Sequence, residues 1–371
     1  MKQKSKIGVI FGGASHEKEI SLESGRNVIY KLQSSSLYEP VPLFLSSQLR
    51  LYAIDQATLV CHATAEIEAL LNVSQQVLWS DLALHVDFVF IALHGGIGEN
   101  GSLQGALEML EIPYNGSGVL TSALCMNKYK TNQFLSAQGF CTPKNLLIEK
   151  NSSIKETIDT IHLPYPLIVK PHDDGCSVLV QKVFDKIQLC HALEKIWNDG
   201  KDYALVEECI NGMELTVGVL GNEHAVALPP SFCVTNDSIL TIEEKFLPGA
   251  GENQTPAPLS EGATAFVQKT IEAVFCAIEG SGYARIDCFY QDENISPTKM
   301  ERLVILEINT LPGLTPATCI FHQAGEIGMR PLDFIEKIID LGFQKHKKIE
   351  QKKIDTQINM SKNKSESEFQ R

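Results

Sequence analysis

Two segments near the C-terminal end of the chain place polar residues at alternate positions within apolar strand patterns. YARIDCFY contains Arg285 and Asp287, and RLVILEIN contains Glu307 and Asn309. Side chains two residues apart lie on the same face of a strand. If the two strands pair, one face of the sheet therefore carries a guanidinium, two carboxylates and an amide. Burying these groups without partners would cost several kcal/mol.

Hard divalent cations are natural partners for such a face. Mg²⁺ prefers oxygen ligands in octahedral geometry, binds through one or two carboxylates, and completes its coordination with water and phosphate. The pattern therefore predicts a metal–nucleotide site. A structural ion-pair network is the alternative interpretation of the same four residues.

Charge and cysteine usage narrow the class of protein. The formal net charge of −13 disfavours nucleic acids and anionic membranes as partners, since both require a basic surface. No stretch approaches about 18 apolar residues, and the N-terminal MKQKSKIGVIFGG leads into a strand pattern rather than a signal peptide. The ten cysteines are scattered, without a C-x-x-C pair or a zinc-type cluster. We therefore expect a reduced, cytoplasmic protein.

The 371 residues predict two or three domains. Residues 1–120 alternate the strand patterns IGVIF, PVPLFL and FVFIAL with helical patterns, which favours a mostly parallel α/β sheet. Residues 121–214 begin with one helical pattern closed by Gly139 and continue as strands, and residues 215–343 hold further strands, a helix and the two polar strands. Residues 344–371 are polar, which predicts a solvated, disordered tail.

A glycine motif offers a second nucleotide-binding interpretation. Gly96, Gly98 and Gly101 match G-x-G-x-x-G, the dinucleotide fingerprint, which also requires an acidic residue about 20 positions later. That region reads NGSGVLTS, so a nicotinamide-dependent dehydrogenase is the weaker interpretation. The sequence also lacks a Walker P-loop, an H-E-x-x-H motif and a G-x-S-x-G nucleophile elbow. An ATP site would therefore have to be built in another way.

Lysines, a glycine loop and glutamates supply the groups for such a site. Lys170 ends a strand pattern and precedes the loop 174–177, whose amide groups can contact phosphate oxygens. Lys128, on the preceding helical pattern, offers a second cation. Glu207 and Glu214 follow at a strand end and a turn, where a ribose and a base could be bound. Together with the polar face, these groups form a candidate Mg-nucleotide site.

The chain resembles the D-alanine:D-alanine ligases of the ATP-grasp superfamily from about Lys6 to about Gly342. Five motifs carry the resemblance: GGASHEKEIS at 12–21, ALHGGIGENGSLQG at 92–105, YNGSGVLTSALCMNK at 114–128, GYARIDCF at 282–289 and LEINTLPGLTP at 306–316. The resemblance implies an α/β, three-domain ATP-grasp fold with an N-terminal parallel α/β domain. Nucleotide would bind between central and C-terminal α+β domains. A homodimer and a cytoplasmic role in peptidoglycan precursor synthesis are also implied.

The resemblance implies a two-step reaction. ATP would phosphorylate the carboxylate of one D-alanine, and the amine of a second D-alanine would attack the acyl phosphate, giving D-alanyl-D-alanine, ADP and phosphate. Phosphoryl transfer of this kind depends mainly on positioning and charge neutralisation. The implied cofactors are ATP and two Mg²⁺ or Mn²⁺ ions.

The same resemblance assigns roles to residues of this chain. The cations would be held by Asp287, Glu307 and Asn309, with Glu307 bridging them. The nucleotide-binding positions are Lys128, Lys170, Gly175, Cys176, Ser177, Glu207, Glu208, Ile210, Glu214 and Lys245. The substrate-binding and catalytic positions are Glu17, His94, Cys176, Lys245, Phe246, Arg285, Gly313 and Thr318. Among these, Arg285 and the backbone N–H of Gly313 would stabilise the oxyanion, an effect worth about 3–4 kcal/mol per donor. For Glu17 and Lys245, an ordinary surface charge is the alternative.

Three positions depart from the family pattern. Cys176, Phe246 and Thr318 stand where family members usually have Ser, Tyr and Ser. In the family, the Ser and Tyr form a hydrogen-bonded link with the glutamate that matches Glu17. Cys is a weak hydrogen-bond donor and Phe is none, so this link would be absent or rebuilt here. Losing one net hydrogen bond costs about 1 kcal/mol. Phe246 also leaves D-lactate as an alternative second substrate. A nucleotide-binding protein without catalysis is the remaining alternative.

Overall fold

The computed structural model describes residues 3–150, 161–173, 179–234 and 252–369, and their side chains except at 233, 234, 252, 354 and 356–369. Predicted contacts of Gly175, Cys176, Ser177, Lys245 and Phe246 therefore lie outside the described residues. No helix within the described ranges is both long enough and apolar enough to cross a membrane.

The first part of the chain forms a five-stranded sheet with helices packed on it. Its elements in chain order are β1 (Ser5–Gly12), α1 (Lys18–Leu32), β2 (Tyr38–Leu45), β3 (Leu51–Ala53), α2 (Thr64–Leu70), β4 (Gln76–Val77), α3 (Leu82–His85), β5 (Phe88–Ile91) and α4 (Ser102–Met109). The strand order is β4-β3-β2-β1-β5. The three strands predicted from sequence pair in parallel, as expected, and β3 and β4 add an antiparallel edge. Continuous apolar runs such as IGVIF form strands buried on both faces, as is typical of parallel sheets.

The middle part forms a four-stranded antiparallel sheet preceded by two helices. Its elements are α5 (Val119–Met126), α6 (Lys128–Ala137), β6 (Asn145–Glu149), β7 (Leu167–Pro171), β8 (Gln181–Val183), α7 (Lys186–Asn198) and β9 (Tyr203–Glu208), with strand order β6-β9-β7-β8. The single helix predicted from residue 121 to Gly139 is wrong. The chain leaves the helical region at Asn127 (φ −94°, ψ 95°), whose side chain accepts a hydrogen bond from the Lys130 N–H. Lys128 therefore occupies the first turn of α6.

The last part contains the two polar strands. Its elements are β10 (Met213–Gly221), β11 (Val226–Ala227), β12 (Ser231–Val234), β13 (Glu252–Gln254), α8 (Glu261–Ala277), β14 (Gly282–Gln291), β15 (Arg302–Asn309), α9 (Cys319–Glu326) and α10 (Pro331–Phe369). The sheet order is β13-β12-β10-β14-β15, and β11 pairs with β10. Helix α8 begins at the N-cap Ser260 and packs Val267, Ile271 and Phe275 into the same core as Leu215 and Ile286. One face of this sheet is therefore apolar and covered.

The C-terminal segment differs from the disordered tail that its composition predicts, because its backbone continues α10 as far as Phe369. Lys, Gln and Glu are good helix formers, so a polar composition does not oppose a helix. The Lys345 ammonium donates to the Gly116 carbonyl at 2.8 Å and lies 3.7 Å from the centre of the Tyr114 ring. Burial lowers the pKa of Lys345 to about 7, although the charge of Glu108 opposes this shift. The first turn beyond residue 344 is thus packed against the rest of the molecule.

Candidate active site

The predicted pairing of the two polar strands is confirmed. β14 and β15 are antiparallel, with Arg285 opposite Asn309 and Asp287 opposite Glu307. On the other side of β14, β10 places Thr216 opposite Asp287. Directly opposed residues project to the same face of a sheet. The polar side chains therefore share one face, while the opposite face is packed against α8.

A β-bulge interrupts the ladder at this point. Asp287 pairs with Glu307, but Cys288 pairs with Ile305, so Leu306 is the extra residue on β15. Because of this extra residue, Ile305 and Ile308 both remain in the core while Glu307 stays on the polar face. Bulges often redirect side chains beside active sites.

Arg285 and Asp287 form a two-point ion pair on the polar face. Arg285 Nε donates to Asp287 Oδ1 at 2.9 Å, and Arg285 Nη2 donates to Oδ2 at 3.0 Å. Thr216 Oγ1 also donates to Asp287 Oδ1, at 2.6 Å. Burial by itself would lower the pKa of Arg285, but the Asp287 carboxylate and, further away, Glu307 raise it above its ordinary value. The guanidinium therefore remains charged at any physiological pH and can stabilise a developing anion.

The remaining groups of this face suit a hard cation. Glu307 Oε2 lies 3.4 Å from Lys128 Nζ, and Asn309 Oδ1 accepts a hydrogen bond from the Leu311 N–H at 3.0 Å. Asp287, Glu307 and Asn309 offer oxygen donors only, the ligand chemistry of Mg²⁺ and Mn²⁺. Among the described residues, no three His, Cys, Asp or Glu side chains cluster as a ready-made metal site. Two carboxylates and an amide fit a cation whose coordination is completed by phosphate and water.

A second cluster lies in the middle sheet. The Lys170 ammonium contacts Glu207 Oε2 at 2.6 Å, and Asn132 Nδ2 donates to Glu207 Oε1 at 3.0 Å. The Glu207 side chain is only 3% exposed, so both of its oxygens require such partners. The neighbouring Glu208 points away and accepts from the Lys144 N–H at 3.0 Å. Glu208 is therefore separated from the cluster that contains Lys170 and Glu207.

Helix α6 joins the two clusters. Lys128 and Asn132 are four residues apart and lie on one face of the helix. Lys128 reaches Glu307 on the C-terminal sheet, whereas Asn132 reaches Glu207 on the middle sheet. Ile210 follows β9, and Glu214 lies on β10 two residues from Thr216, on its polar face. Of the positions predicted to bind nucleotide, Lys128, Lys170 and Glu207 are therefore connected through α6 to the sheet that carries Glu214.

His94 ties the end of the first sheet to the loop after β15. A carbonyl can only accept, so the 3.2 Å contact with Leu311 O places a proton on Nδ1. Nε2 is hydrogen-bonded to Ser24 Oγ at 2.8 Å, and Ser24 Oγ accepts from the Leu314 N–H at 3.1 Å. This chain of hydrogen bonds holds both sides of Gly313, which is itself buried. His94 therefore supports the loop that carries the predicted oxyanion donor.

Glu17 stands at the start of α1, next to a cavity of about 430 Å³ that His172 and Lys201 also line. Gly95 has φ +66°, a backbone conformation that favours glycine, and a Cβ atom there would lie 2.5 Å from Glu17 Oε2, so a side chain at this position would displace the carboxylate. The glycine turn after β5 therefore lies directly against the carboxylate predicted to bind an ammonium group.

Helix α9 begins beside the polar face. Thr318 is the N-cap position of α9 and is buried. Cys319 follows it, and burial raises the pKa of its thiol, while the neighbouring Arg285 opposes the rise and Asp287 adds to it. The start of α9 therefore lies close to the Arg285–Asp287 pair.

Sequence reasoning did not identify several polar residues of the site. Thr216, Asn132 and Ser24 each bond a predicted functional residue. The spacing held a signal for two of them, because Thr216 lies two residues after Glu214 on a strand and Asn132 lies four after Lys128 on a helix. Nothing in the local sequence pairs Ser24 with His94.

Comparison with known proteins gives independent evidence about the family of this chain. The family model described as D-ala D-ala ligase N-terminus matches residues 6–117, and the one described as D-ala D-ala ligase C-terminus matches residues 135–340. A D-alanine–D-alanine ligase of Carboxydothermus hydrogenoformans is 34% identical over 354 residues, which span 92% of this chain and 100% of the relative.

Solved structures of related proteins have the same fold as this chain. The D-alanine–D-alanine ligase of Coxiella burnetii matches with a TM-score of 0.79 at 25% identity, covering 97% of this chain and 100% of that protein. The enzyme of Bacillus anthracis, solved as a complex with ATP, matches with a TM-score of 0.71 at 27% identity, covering 93% and 99%. The predicted α/β, three-domain ATP-grasp fold is thereby confirmed. From both family models and from the relative of 34% identity, we conclude that this chain belongs to the D-alanine–D-alanine ligase family.

Proposed function

We propose that the protein is an ATP-dependent ligase that joins two D-alanine molecules through an acyl phosphate, releasing ADP and phosphate. The observation that carries the proposal is the polar face of β10, β14 and β15, where Arg285, Asp287, Glu307 and Asn309 lie together with Lys128 beside them. The identity of the substrates is inferred from the family, and the residues of the polar face provide the charges that this reaction requires.

Asp287, Glu307 and Asn309 would hold the divalent cations, Mg²⁺ or Mn²⁺. Such cations neutralise negative charge on the β- and γ-phosphates as the phosphoryl group moves. Lys128, which already contacts Glu307, and Lys170 would bind the phosphates as point charges. Glu207 and Glu214 would bind the base and the ribose, and the residues Gly175, Cys176, Ser177 and Lys245 would complete the phosphate and nucleotide contacts.

The two D-alanine molecules would bind next to the polar face. Glu17 would hold the ammonium of the first, with His94 supporting the loop that contains Gly313. Thr318 and Lys245 would hold the carboxylate of the second, next to Phe246. The permanently charged Arg285 and the Gly313 N–H would then stabilise the tetrahedral oxyanion that forms when the amine attacks. Each such donor typically lowers the activation free energy by about 3–4 kcal/mol.

D-alanine is proposed as the second substrate in preference to D-lactate. The test is mass spectrometry of the products after incubation with Mg-ATP, D-alanine and an equal concentration of D-lactate, at several pH values. We expect D-alanyl-D-alanine as the main product near neutral pH. A depsipeptide as the main product there would overturn the assignment of the second substrate.

A role in peptidoglycan precursor synthesis, a cytoplasmic location and a homodimer complete the proposal, and they rest on the family alone.

The test of the site itself is Glu307→Gln, which keeps the size of the side chain but removes its charge. We expect ADP formation to fall at least about a hundredfold, since one carboxylate that would hold the divalent cations would lose its charge. Glu194→Gln, the same substitution at an exposed position of α7, is the control. Unchanged ADP formation by Glu307→Gln would remove the metal assignment.

A further inference from the structure

Thr216 presents its hydroxyl to a residue assigned to the cation site. It lies in the middle of β10, directly opposite Asp287 on β14, and its side chain is buried. Its hydroxyl donates to Asp287 Oδ1 at 2.6 Å, the short distance typical of a hydrogen bond from a hydroxyl to a charged oxygen. A valine would satisfy the strand and the burial equally well, so the hydroxyl requires a separate explanation.

The acceptor sites of Asp287 provide that explanation. A carboxylate has about four acceptor positions, two on each oxygen. Oδ1 accepts from both Thr216 Oγ1 and Arg285 Nε, which uses its two positions. Oδ2 accepts from Arg285 Nη2. Within the described residues, one acceptor position therefore remains on Asp287, and it belongs to Oδ2.

The strand that carries Thr216 is itself fixed. Gln323 of α9 donates to the Thr216 carbonyl at 2.8 Å and accepts from the Gly218 N–H at 2.8 Å. On the other edge, β10 is paired with β14 along its whole length. Hydrogen bonds on both edges of β10 therefore fix the backbone that carries the Thr216 hydroxyl. A group that orients a metal ligand requires such a fixed backbone.

We propose that Thr216 is a positioning residue of the cation site: its hydroxyl, with Arg285 Nε, occupies Oδ1 of Asp287 and directs Oδ2 alone to a divalent cation. This inference rests on the proposed metal role of Asp287. Groups that orient metal ligands typically contribute 10–100-fold to metal affinity. Without the hydroxyl, the carboxylate is held by Arg285 alone, and the second acceptor position of Oδ1 becomes open to the cation, so that Oδ2 is no longer the one oxygen directed to it.

The test compares four variants with the unaltered full-length protein by electron paramagnetic resonance. Free Mn²⁺ is measured while Mn²⁺ is added to protein with saturating ADP, so the readout does not depend on turnover. Thr216→Val removes the hydroxyl at constant volume, and Thr216→Ser retains it. The matched control is Thr121→Val, because Thr121 is as buried as Thr216 (each 5% exposed) and donates to Ile278 O at 2.8 Å, outside the site. Glu307→Gln tests the cation site as a whole.

We expect Thr216→Val to weaken Mn²⁺ binding at least about tenfold, with Thr216→Ser and Thr121→Val within about threefold of the unaltered protein. In steady-state assays, Thr216→Val should raise the Mg²⁺ concentration required for half-maximal rate more than it lowers the maximal rate. If Glu307→Gln loses Mn²⁺ binding while Thr216→Val binds normally, the inference about Thr216 is wrong and the proposed function stands. If Glu307→Gln also binds Mn²⁺ normally, the proposed metal site itself is wrong.

Discussion

Gln323 is the residue whose replacement most sharply tests how α9 supports the polar face. Its side chain is fully buried, and its amide extends from α9 to the backbone of β10. The β10–β12 ladder pairs only Leu215 and Thr216, so the amide of Gln323 takes the place of the next strand partner. It accepts from the Gly218 N–H and donates to the Thr216 carbonyl. Replacement by leucine keeps the volume and removes both hydrogen bonds.

The cost of Gln323→Leu follows from the groups left without partners. A buried donor or acceptor that loses its hydrogen bond costs about 1–3 kcal/mol. After the change the Gly218 N–H has no partner, which costs about 1–3 kcal/mol, and the Thr216 carbonyl, still engaged in the β10–β12 ladder, loses one of its two hydrogen bonds, which costs about 1 kcal/mol. Together these losses give about 2–4 kcal/mol of destabilisation. The third partner, Ser231 Oγ, keeps its hydrogen bond to Thr255 Oγ1 at 2.6 Å and adds little.

The assay is urea unfolding of Gln323→Leu beside Gln104→Leu. Gln104 is also fully buried, and among the described residues it makes one side-chain hydrogen bond, from Nε2 to the Gly98 carbonyl at 2.7 Å. We therefore expect Gln104→Leu to lower the free energy of unfolding by about 1–3 kcal/mol, less than Gln323→Leu. A loss below about 1 kcal/mol for Gln323→Leu, or a smaller loss than for Gln104→Leu, would refute the reasoning.

Three further predictions concern pH dependence, nucleotide binding and substrate binding. Burial lowers the pKa of Lys345 from 10.5 to about 7, so between these values the unfolded chain binds more protons and stability should rise with pH. Lys345→Met should flatten that rise in urea unfolding measured from pH 7 to 10, and an unchanged slope would contradict the assigned pKa. Asn132→Leu removes a charge-assisted hydrogen bond, worth about 1.5–3 kcal/mol, from the buried Glu207 carboxylate. This change should raise KM for ATP more than KM for D-alanine. Equal changes in the two KM values would contradict a nucleotide-binding role for Glu207. Gly95→Ala places a Cβ 2.5 Å from Glu17 Oε2 at φ +66°, so the carboxylate must move. Because misplacing a group that positions substrate slows a reaction strongly, KM for D-alanine should rise at least about tenfold while KM for ATP changes little. Unaltered kinetics would show that Glu17 does not bind substrate.

The polar face could be predicted from sequence because strand geometry is local. Alternation with a period of two places Arg285 beside Asp287 and Glu307 beside Asn309 on one face, whatever the rest of the fold does. Only the pairing of the two strands was an assumption, and it is confirmed. The bulge at Leu306 was not predictable from alternation, because an inserted residue shifts the pattern only where the partner strand is known.

Contacts between separate elements could not be derived in this way. Lys128 meets Glu307 and Asn132 meets Glu207 because α6 docks between two sheets, and no periodicity in the sequence encodes that docking. The break before Lys128 depends on the N-cap side chain of Asn127, a local signal that the apolar pattern on both sides masked. The helical segment after residue 344 is stabilised partly by the position of Lys345 over Tyr114, which again depends on tertiary packing.

The family resemblance contributed what the physical pattern could not. Glu17 and His94 look like ordinary polar residues in sequence, and the resemblance alone assigned them to a substrate site. The structure joins His94 to the loop around Gly313 through Ser24 and Leu311, which gives that assignment a physical basis. The roles assigned to Gly175, Cys176, Ser177, Lys245 and Phe246 stay predictions.

The most direct test of the account is the fate of the carboxylate oxygens of D-alanine. D-alanine labelled with ¹⁸O in both carboxylate oxygens is incubated with the protein and unlabelled Mg-ATP, and the released phosphate is analysed by mass spectrometry. If the carboxylate of one D-alanine is phosphorylated and the amine of the second then displaces phosphate, each phosphate released must carry one ¹⁸O atom. Phosphate released without label, together with D-alanyl-D-alanine formation, would contradict the proposed reaction at the polar face.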